Sequence, residues 1–285
     1  MLALGNVVLP IMLLLLMLLL MMGGGCDAQS ITFDVKRTVR HDEQCFTQGL
    51  QLYQGFLYES CGLFKKSSLR KVDPSTGAVL KQVKLPQEVF GEGLTVIGNR
   101  IYVITWKSRR MFVFDVNTFD LVLSTTFETF NGEGWGITHD ADNNLIASDG
   151  SDRLSFLSTP RQPDEVAKKL KEVVVKDAKT GASVQQINEL EYVNGYIYAN
   201  LWYQDVIVKI QPETGTVVER IDLKSLYTNR SPMADCLNGI AYNESSNQLI
   251  ITGKLWPKYF HVSLAGHFLG PLGPHSMTPI NPPPL

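Results

Sequence analysis

Residues 92–106 read Glu92-Gly93-Leu94-Thr95-Val96-Ile97-Gly98-Asn99-Arg100-Ile101-Tyr102-Val103-Ile104-Thr105-Trp106. Two runs rich in β-branched and aromatic residues flank a Gly-Asn pair, which is the chemistry of a two-stranded hairpin. The phrase recurs four more times: Gln48-Gly49-Leu50 leads to QGFLYES, Trp135-Gly136-Ile137 to DNNLIASDG, Asn188-Glu189-Leu190 to NGYIYANLW, and Asn238-Gly239-Ile240 to SNQLIITGK. Four of the phrases continue into a second, more amphipathic stretch: VDPSTGAVLKQV, FDVNTFDLVLST, a longer insert after Phe156, and IQPETGTVVERI. The starting positions 48, 92, 135, 188 and 238 are separated by 44, 43, 53 and 50 residues. That is the period of a four-stranded propeller blade.

The fifth phrase has FHVSLA as its third strand and little chain for a fourth, whereas ITFDVKRTVR at 31–40 has no partner of its own. The expected fold is therefore all-β, a five-bladed β-propeller whose ring is closed by the N-terminal strand. One segment, 163–171, looks helical and is expected as a charged insert in the third blade.

Composition narrows the function. The chain has 285 residues, and 26 basic side chains face 28 acidic ones for a net charge of −2. No nucleic-acid partner is implied by so even a balance. The run from Val7 to Met22 carries no charge and is followed by Gly23-Gly24-Gly25-Cys26-Asp27-Ala28, which reads as a secretory signal over residues 1–28. No Lys or Arg precedes the run, and its length approaches a bilayer span. A retained type II anchor in the endoplasmic reticulum is thus the alternative to secretion, and membrane contact is expected only in that case. The propeller is placed at 29–268 and a Pro-rich tail at 269–285. Asn229-Arg230-Ser231 and Asn243-Glu244-Ser245 have the form of glycosylation acceptors. With the leader cut after Cys26, Cys45, Cys61 and Cys236 remain, enough for one disulfide whose pairing the sequence leaves open.

In a propeller the first strand of every blade lines the axial channel, so equivalent positions form rings. The position before the Gly-Leu or Gly-Ile step collects Gln48, Glu92, Trp135, Asn188 and Asn238. A second column, five residues after the Ile or Leu of the second strand, collects Gly62, Trp106, Gly150, Trp202 and Lys254. Two rings thus direct one carboxylate, one ammonium, side-chain amides and three tryptophans to one end of the channel. Asn238 is read as satisfying backbone groups at a strand start. For Glu133, Glu189 and Glu191 the choice between inter-blade acceptors and site groups stays open. The five histidines show no metal-ligand spacing, no Ser stands in a nucleophile elbow, and no phosphate loop is present.

The phrases Phe46-Thr47-Gln48-Gly49-Leu50, Phe90-Gly91-Glu92-Gly93-Leu94-Thr95, Gly132-Glu133-Gly134-Trp135-Gly136, Ile187-Asn188-Glu189-Leu190-Glu191 and Thr252-Gly253-Lys254-Leu255-Trp256-Pro257 resemble the plant and bacterial type of glutaminyl-peptide cyclotransferase. The resemblance runs from residue 31 to about 268. It implies conversion of N-terminal glutamine of peptides and proteins to pyroglutamate with release of ammonia, with no cofactor and no catalytic metal; separately, the chain is expected to be a monomer. It implies that Glu92 is the catalytic acid/base and Lys254 the catalytic lysine. Gln48 and Asn188 would bind substrate amides, and Phe46, Phe90, Trp106, Trp135 and Trp202 would form aromatic walls. Cys61 and Cys236 depart from the Thr-like and Val-like residues of that pattern. The competing reading is a non-catalytic propeller that holds a peptide or glycan in its Trp-lined channel. A metal-dependent lactone hydrolase ranks below both, because only Glu92 in the first ring is acidic.

Overall fold

A computed structural model describes residues 31–266 and 269 of the chain; the leader and, beyond Leu269, the Pro-rich tail lie outside the described residues. Strand β1 (Phe33–Arg40) precedes the first repeat. Blade one is β2 (Thr47–Tyr53), β3 (Phe56–Cys61), β4 (Ser68–Val72) and β5 (Val79–Lys84). Blade two is β6 (Gly91–Ile97), β7 (Arg100–Thr105), β8 (Arg110–Asp115) and β9 (Leu121–Thr126). Blade three is β10 (Ile137–His139), β11 (Leu145–Ser148), β12 (Arg153–Leu157) and β13 (Lys169–Val174). A two-residue strand, β14 (Lys176–Asp177), comes next. Blade four is β15 (Ile187–Val193), β16 (Tyr196–Leu201), β17 (Val206–Gln211) and β18 (Thr216–Asp222), and blade five begins with β19 (Leu237–Asn243), β20 (Gln248–Gly253) and β21 (Lys258–Leu264).

Within each blade the strands pair antiparallel in chain order. Strand β1 completes blade five, paired with β21 from Phe33 opposite Leu264 to Arg40 opposite Lys258. The ring therefore closes with the N-terminal strand on the outside of the last blade. Local chemistry sets the outer hairpins. Asp73 Oδ1 accepts from the N–H groups of Ser75 (2.7 Å) and Thr76 (3.3 Å), and Asp115 Oδ1 does the same for Asn117 (2.8 Å) and Thr118 (2.9 Å). Such Asx turns reverse the chain within a few residues.

The helix expected at 163–171 does not form. Ala167 bridges in parallel to Phe127, and from Lys169 the chain is β13, paired with β12. A helix here would leave the outer edge of β12 without backbone partners; of the charged residues that suggested it, Asp164, Glu165 and Lys168 precede the strand, and Lys169 and Lys171 are exposed on it. Strand β14, too short for any periodicity to reveal, adds in parallel to β18 as a fifth strand of blade four.

The apolar core lies between neighbouring blades. Tyr58 and Leu69 of blade one share a cluster with Leu94, Ile101, Val103 and Phe112 of blade two, and Ile207 and Ile221 of blade four pack with Leu249, Ile251 and Val262 of blade five. At the axis there is no room for side chains between inner strands. A Cβ at Gly49 would lie 2.4 Å from Leu94 N, one at Gly93 2.6 Å from Ile137 N, and one at Gly136 2.1 Å from Asn188 O. Blade four departs from this pattern, with Glu189 at the glycine position. Its carboxylate accepts from Leu50 N (3.1 Å) and Ile240 N (2.8 Å), and Glu191 accepts from Tyr242 N (3.0 Å). Both glutamates are thus inter-blade acceptors.

A buried polar network seals the closure. Glu59 accepts from His41 Nε2, Thr47 Oγ1 and Tyr259 Oη, each at 2.9 Å, while His41 Nδ1 donates to Trp256 O at 2.5 Å. Both imidazole nitrogens therefore donate, and the Glu59 charge holds the His41 pKa above its ordinary value against the opposing effect of burial. Cys45 and Cys61 form the disulfide, and Cys236 is a buried free thiol.

Two outcomes follow from the axis. Gly93→Ala is expected to lower stability by about 1–3 kcal/mol, read as a lower urea midpoint, because backbone rather than a flexible side chain must move. Burial pushes the Glu191 carboxyl up to about 8 from 4.5. The folded chain then holds a proton that the unfolded chain has lost, so stability falls as pH rises across that interval. The thermal midpoint should decline from pH 5 to 8, and less steeply in Glu191→Gln.

Candidate active site

Each inner strand except β10 is interrupted where the repeat places its polar residue. Pairing skips between Thr47 and Gly49, Gly91 and Leu94, Ile187 and Leu190, and Leu237 and Ile240. These are β-bulges, which re-aim a side chain without ending the strand. They turn Gln48, Glu92 and Asn188 to the channel mouth. The second column is aimed by another device. Gly62, Trp202 and Lys254 are each followed by a residue in the left-handed region, Leu63 (φ 84°), Tyr203 (φ 55°) and Leu255 (φ 60°), where the chain peels away from the second strand.

The two columns meet around a cavity of about 190 Å³ lined by Phe46, Gln48, Phe90, Glu92, Trp106, Trp135, Asn188, Trp202, Tyr203, Asp235 and Lys254. All nine residues expected to act in catalysis or substrate binding are among them. Asn238 is not; its Nδ2 donates to Thr47 O (2.9 Å) and Gln48 Oε1 (3.2 Å), which fixes the Gln48 amide. The small members of the second column make room for rings. A Cβ at Gly62 would lie 2.4 Å from the Phe90 ring, and one at Gly150 2.6 Å from the Trp135 ring.

Glu92, Lys254, Gln48 and Asn188 are all buried. Burial drives the Glu92 carboxyl well above the usual carboxylate range; the Lys254 ammonium works against this, and Glu133 adds to it. Lys254 Nζ lies 4.9 Å from the centroid of the Phe46 ring, a cation–π contact in a dry setting. Asn188 Oδ1 is buried with no hydrogen-bond partner among the described residues. An unpaired buried acceptor is costly unless a ligand satisfies it.

Glu133 organises the wall. Its Oε2 accepts from Trp106 Nε1 (2.7 Å) and Trp135 Nε1 (3.0 Å), while Lys107 Nζ stands 3.7 Å from Oε1. One carboxylate oxygen thus sets two indoles. The column that holds it was present in the sequence. Phe46, Phe90 and Glu133 each stand two residues before the first-ring position of their blade, and Trp106 N donates to Phe90 O (3.0 Å) as Gly62 N does to Phe46 O (2.8 Å). Tyr203 and Asp235 were missed. Tyr203 is carried in by its neighbour Trp202, with ring centroids 4.8 Å apart, and Asp235 sits in a loop outside the repeat register.

Among the described residues one His/Cys/Asp/Glu group is compact enough for a metal ion, His41 with Cys45 and Glu59. Cys45 is in the disulfide, His41 and Glu59 are paired, and none of them lines the cavity.

A five-bladed propeller with a carboxylate, an ammonium and two amides in an aromatic axial cavity has the form of a small-ligand pocket built for proton transfer. Residues 11–264 match the family model described as glutamine cyclotransferase. The chain is 37% identical over 230 residues to the glutaminyl-peptide cyclotransferase of Arabidopsis thaliana, covering 79% of this chain and 68% of the relative. It superposes on the crystal structure of Myxococcus xanthus glutaminyl cyclase with a TM-score of 0.72 and 33% identity, over 83% of this chain and 98% of that one. The chain belongs to the glutamine cyclotransferase family, and is homologous to an enzyme.

Removing the Glu133 carboxylate should release both indoles. Glu133→Leu is expected to shift tryptophan emission in the folded protein, and Glu133→Gln, which keeps an acceptor oxygen, to restore most of it. Identical spectra for all three proteins would show that Glu133 does not set the rings.

Proposed function

We propose that the chain is a glutaminyl-peptide cyclotransferase that works without a catalytic metal, closing N-terminal glutamine of peptides and proteins to pyroglutamate with loss of ammonia. The observation that carries this reading is Glu92, buried with a raised pKa in a cavity that also holds the unpaired Asn188 Oδ1.

The nucleophile is the substrate's own α-amine and the electrophile its γ-amide carbon, so the enzyme's first task is geometric. Aromatic walls of Phe46, Phe90, Trp106, Trp135 and Trp202 fold the side chain back on the amine and exclude water that would otherwise hydrolyse the amide. An α-ammonium has an ordinary pKa of about 7.7–8.0. The raised proton affinity of Glu92 makes its carboxylate a stronger base towards the amine proton, and the dry cavity favours the neutral acid and amine over the ion pair. Asn188 Oδ1 accepts from the amine and orients its lone pair.

Attack forms the ring C–N bond and places charge on the former carbonyl oxygen. Gln48 Oε1 is engaged by Asn238, so its Nε2 is the free end to donate to that oxygen, and Lys254 supplies the positive charge. The Glu92 carboxylic acid then protonates the amide nitrogen, the C–N bond to it breaks, and ammonia leaves. The ring nitrogen then gives its extra proton to Glu92, and the Glu92 acid passes it to the departing ammonia, which leaves as ammonium and restores the carboxylate for the next turnover.

We also propose that the chain acts in the secretory pathway or outside the cell, as a monomer. The Cys45–Cys61 disulfide supports an oxidising setting.

The test is incubation of the protein with a Gln-initiated dipeptide and a chelator, following ammonia and product mass. Loss of one ammonia, unaffected by the chelator, is the expected result. Glu92→Gln should lose about 10²–10⁴ of kcat with its circular dichroism unchanged. No turnover from well-folded protein would favour the non-catalytic channel binder.

A further inference from the structure

Tyr203 and Asp235 line two depressions at once. Besides the catalytic cavity they border a neighbouring groove of about 330 Å³, completed by Asp205, Arg230, Ala234 and Cys236. A peptide whose first residue is folded into the cavity must lead the rest of its chain out, and the Tyr203–Asp235 edge is where the cavity continues into a second concavity. We propose that this groove is the subsite for the residue following the N-terminal glutamine, and that Asp235 makes it select a basic side chain there. The proposal rests on the cyclotransferase reading given above.

The groove's charge decides the selection. Arg230 is already committed: its Nη2 donates to Asp205 Oδ1 (2.6 Å), its Nε to Tyr227 O (3.1 Å), and its guanidinium lies 4.6 Å from the Trp256 ring. Asp205 and Arg230 cancel each other as one wall. Lys254 faces Glu92 inside the cavity. Asp235, whose carboxylate is hydrogen-bonded to Tyr203 and raises the Tyr203 pKa, is left as the charge without a cationic side chain bound to it among the described residues, and an incoming side chain meets it.

Asp235 is also held in place. Its N–H donates to Lys254 O (2.9 Å), its carbonyl accepts from Trp256 Nε1 (2.8 Å), and its Oδ1 accepts from Cys236 N (2.5 Å). A fixed carboxylate loses little side-chain entropy when a cation docks on it. Beside it Tyr203, 66% exposed and tilted against the Trp202 ring, offers an aromatic face. The stem of a lysine or arginine can lie along that face while its charged head reaches Asp235. An acidic side chain would be repelled, and a small one would use neither feature.

The experiment compares kcat/KM of the full protein for Gln-Arg, Gln-Ala and Gln-Glu peptide amides at low salt. The wild type should favour Gln-Arg over Gln-Ala by about fivefold, a preference that shrinks as salt rises. In Asp235→Asn that ratio should fall to about one, and in Asp235→Lys the order should invert in favour of Gln-Glu. The readout is a ratio within each protein, so a variant that merely loosens the loop lowers all three substrates together and leaves the wild-type preference standing. Equal rates in the wild type, or a preference that survives Asp235→Asn, would overturn the subsite. No turnover of any peptide would overturn the cyclotransferase reading and the subsite with it.

Discussion

The inner strands touch backbone to backbone at Gly49, Gly93 and Gly136, with no space for a methyl group between neighbours. This contact fixes the distance of every blade from the axis. In blades one and two the ladder bulges at the same place, between Thr47 and Gly49 and between Gly91 and Leu94. The bulges then present Gln48, Glu92 and Asn188 at one level of the channel. Blade four keeps the spacing by another means, with the Glu189 carboxylate bridging the amides of Leu50 and Ile240 across the axis. The residue ring is thus a consequence of how tightly five sheets can be brought together.

Inside the cavity two electrostatic demands oppose each other. Burial raises the proton affinity of Glu92 and prevails over Lys254, which lowers it, while Glu133 adds a smaller push in the direction of burial. Glu133 performs a second task by holding the indoles of Trp106 and Trp135. The carboxylate that sets the aromatic wall therefore also contributes to the basicity of the central one.

Ring closure and the site are also joined. Cys45, bonded to Cys61, precedes Phe46 of the wall, and its carbonyl accepts from Leu255 N (2.9 Å), next to Lys254. His41, between β1 and β2, donates to the carbonyl of Trp256 two residues further on. The seam between first and last blades runs beneath Phe46 and Lys254, so loosening the closure would move residues that the proposed chemistry needs.

Much of this was legible in the chain. Hairpin turns, a period of 44 to 53 residues and an unpaired N-terminal strand are local or simply countable, and they define a closed five-bladed ring. In a repeat protein sequence register is spatial register, so the ring of Gln48, Glu92 and Asn188 and the column of Trp106, Trp202 and Lys254 followed by counting alone. The tertiary structure decided what register does not carry: β13 in place of a helix, since pairing with β12 outweighs local preference, and the union of Cys45 with Cys61. It also decided the grip of Glu133 on two indoles and the place of Asp235 at the cavity edge. Those depend on side chains from different blades meeting across space, and their distances are set by packing five sheets around one axis rather than by any neighbour in the chain.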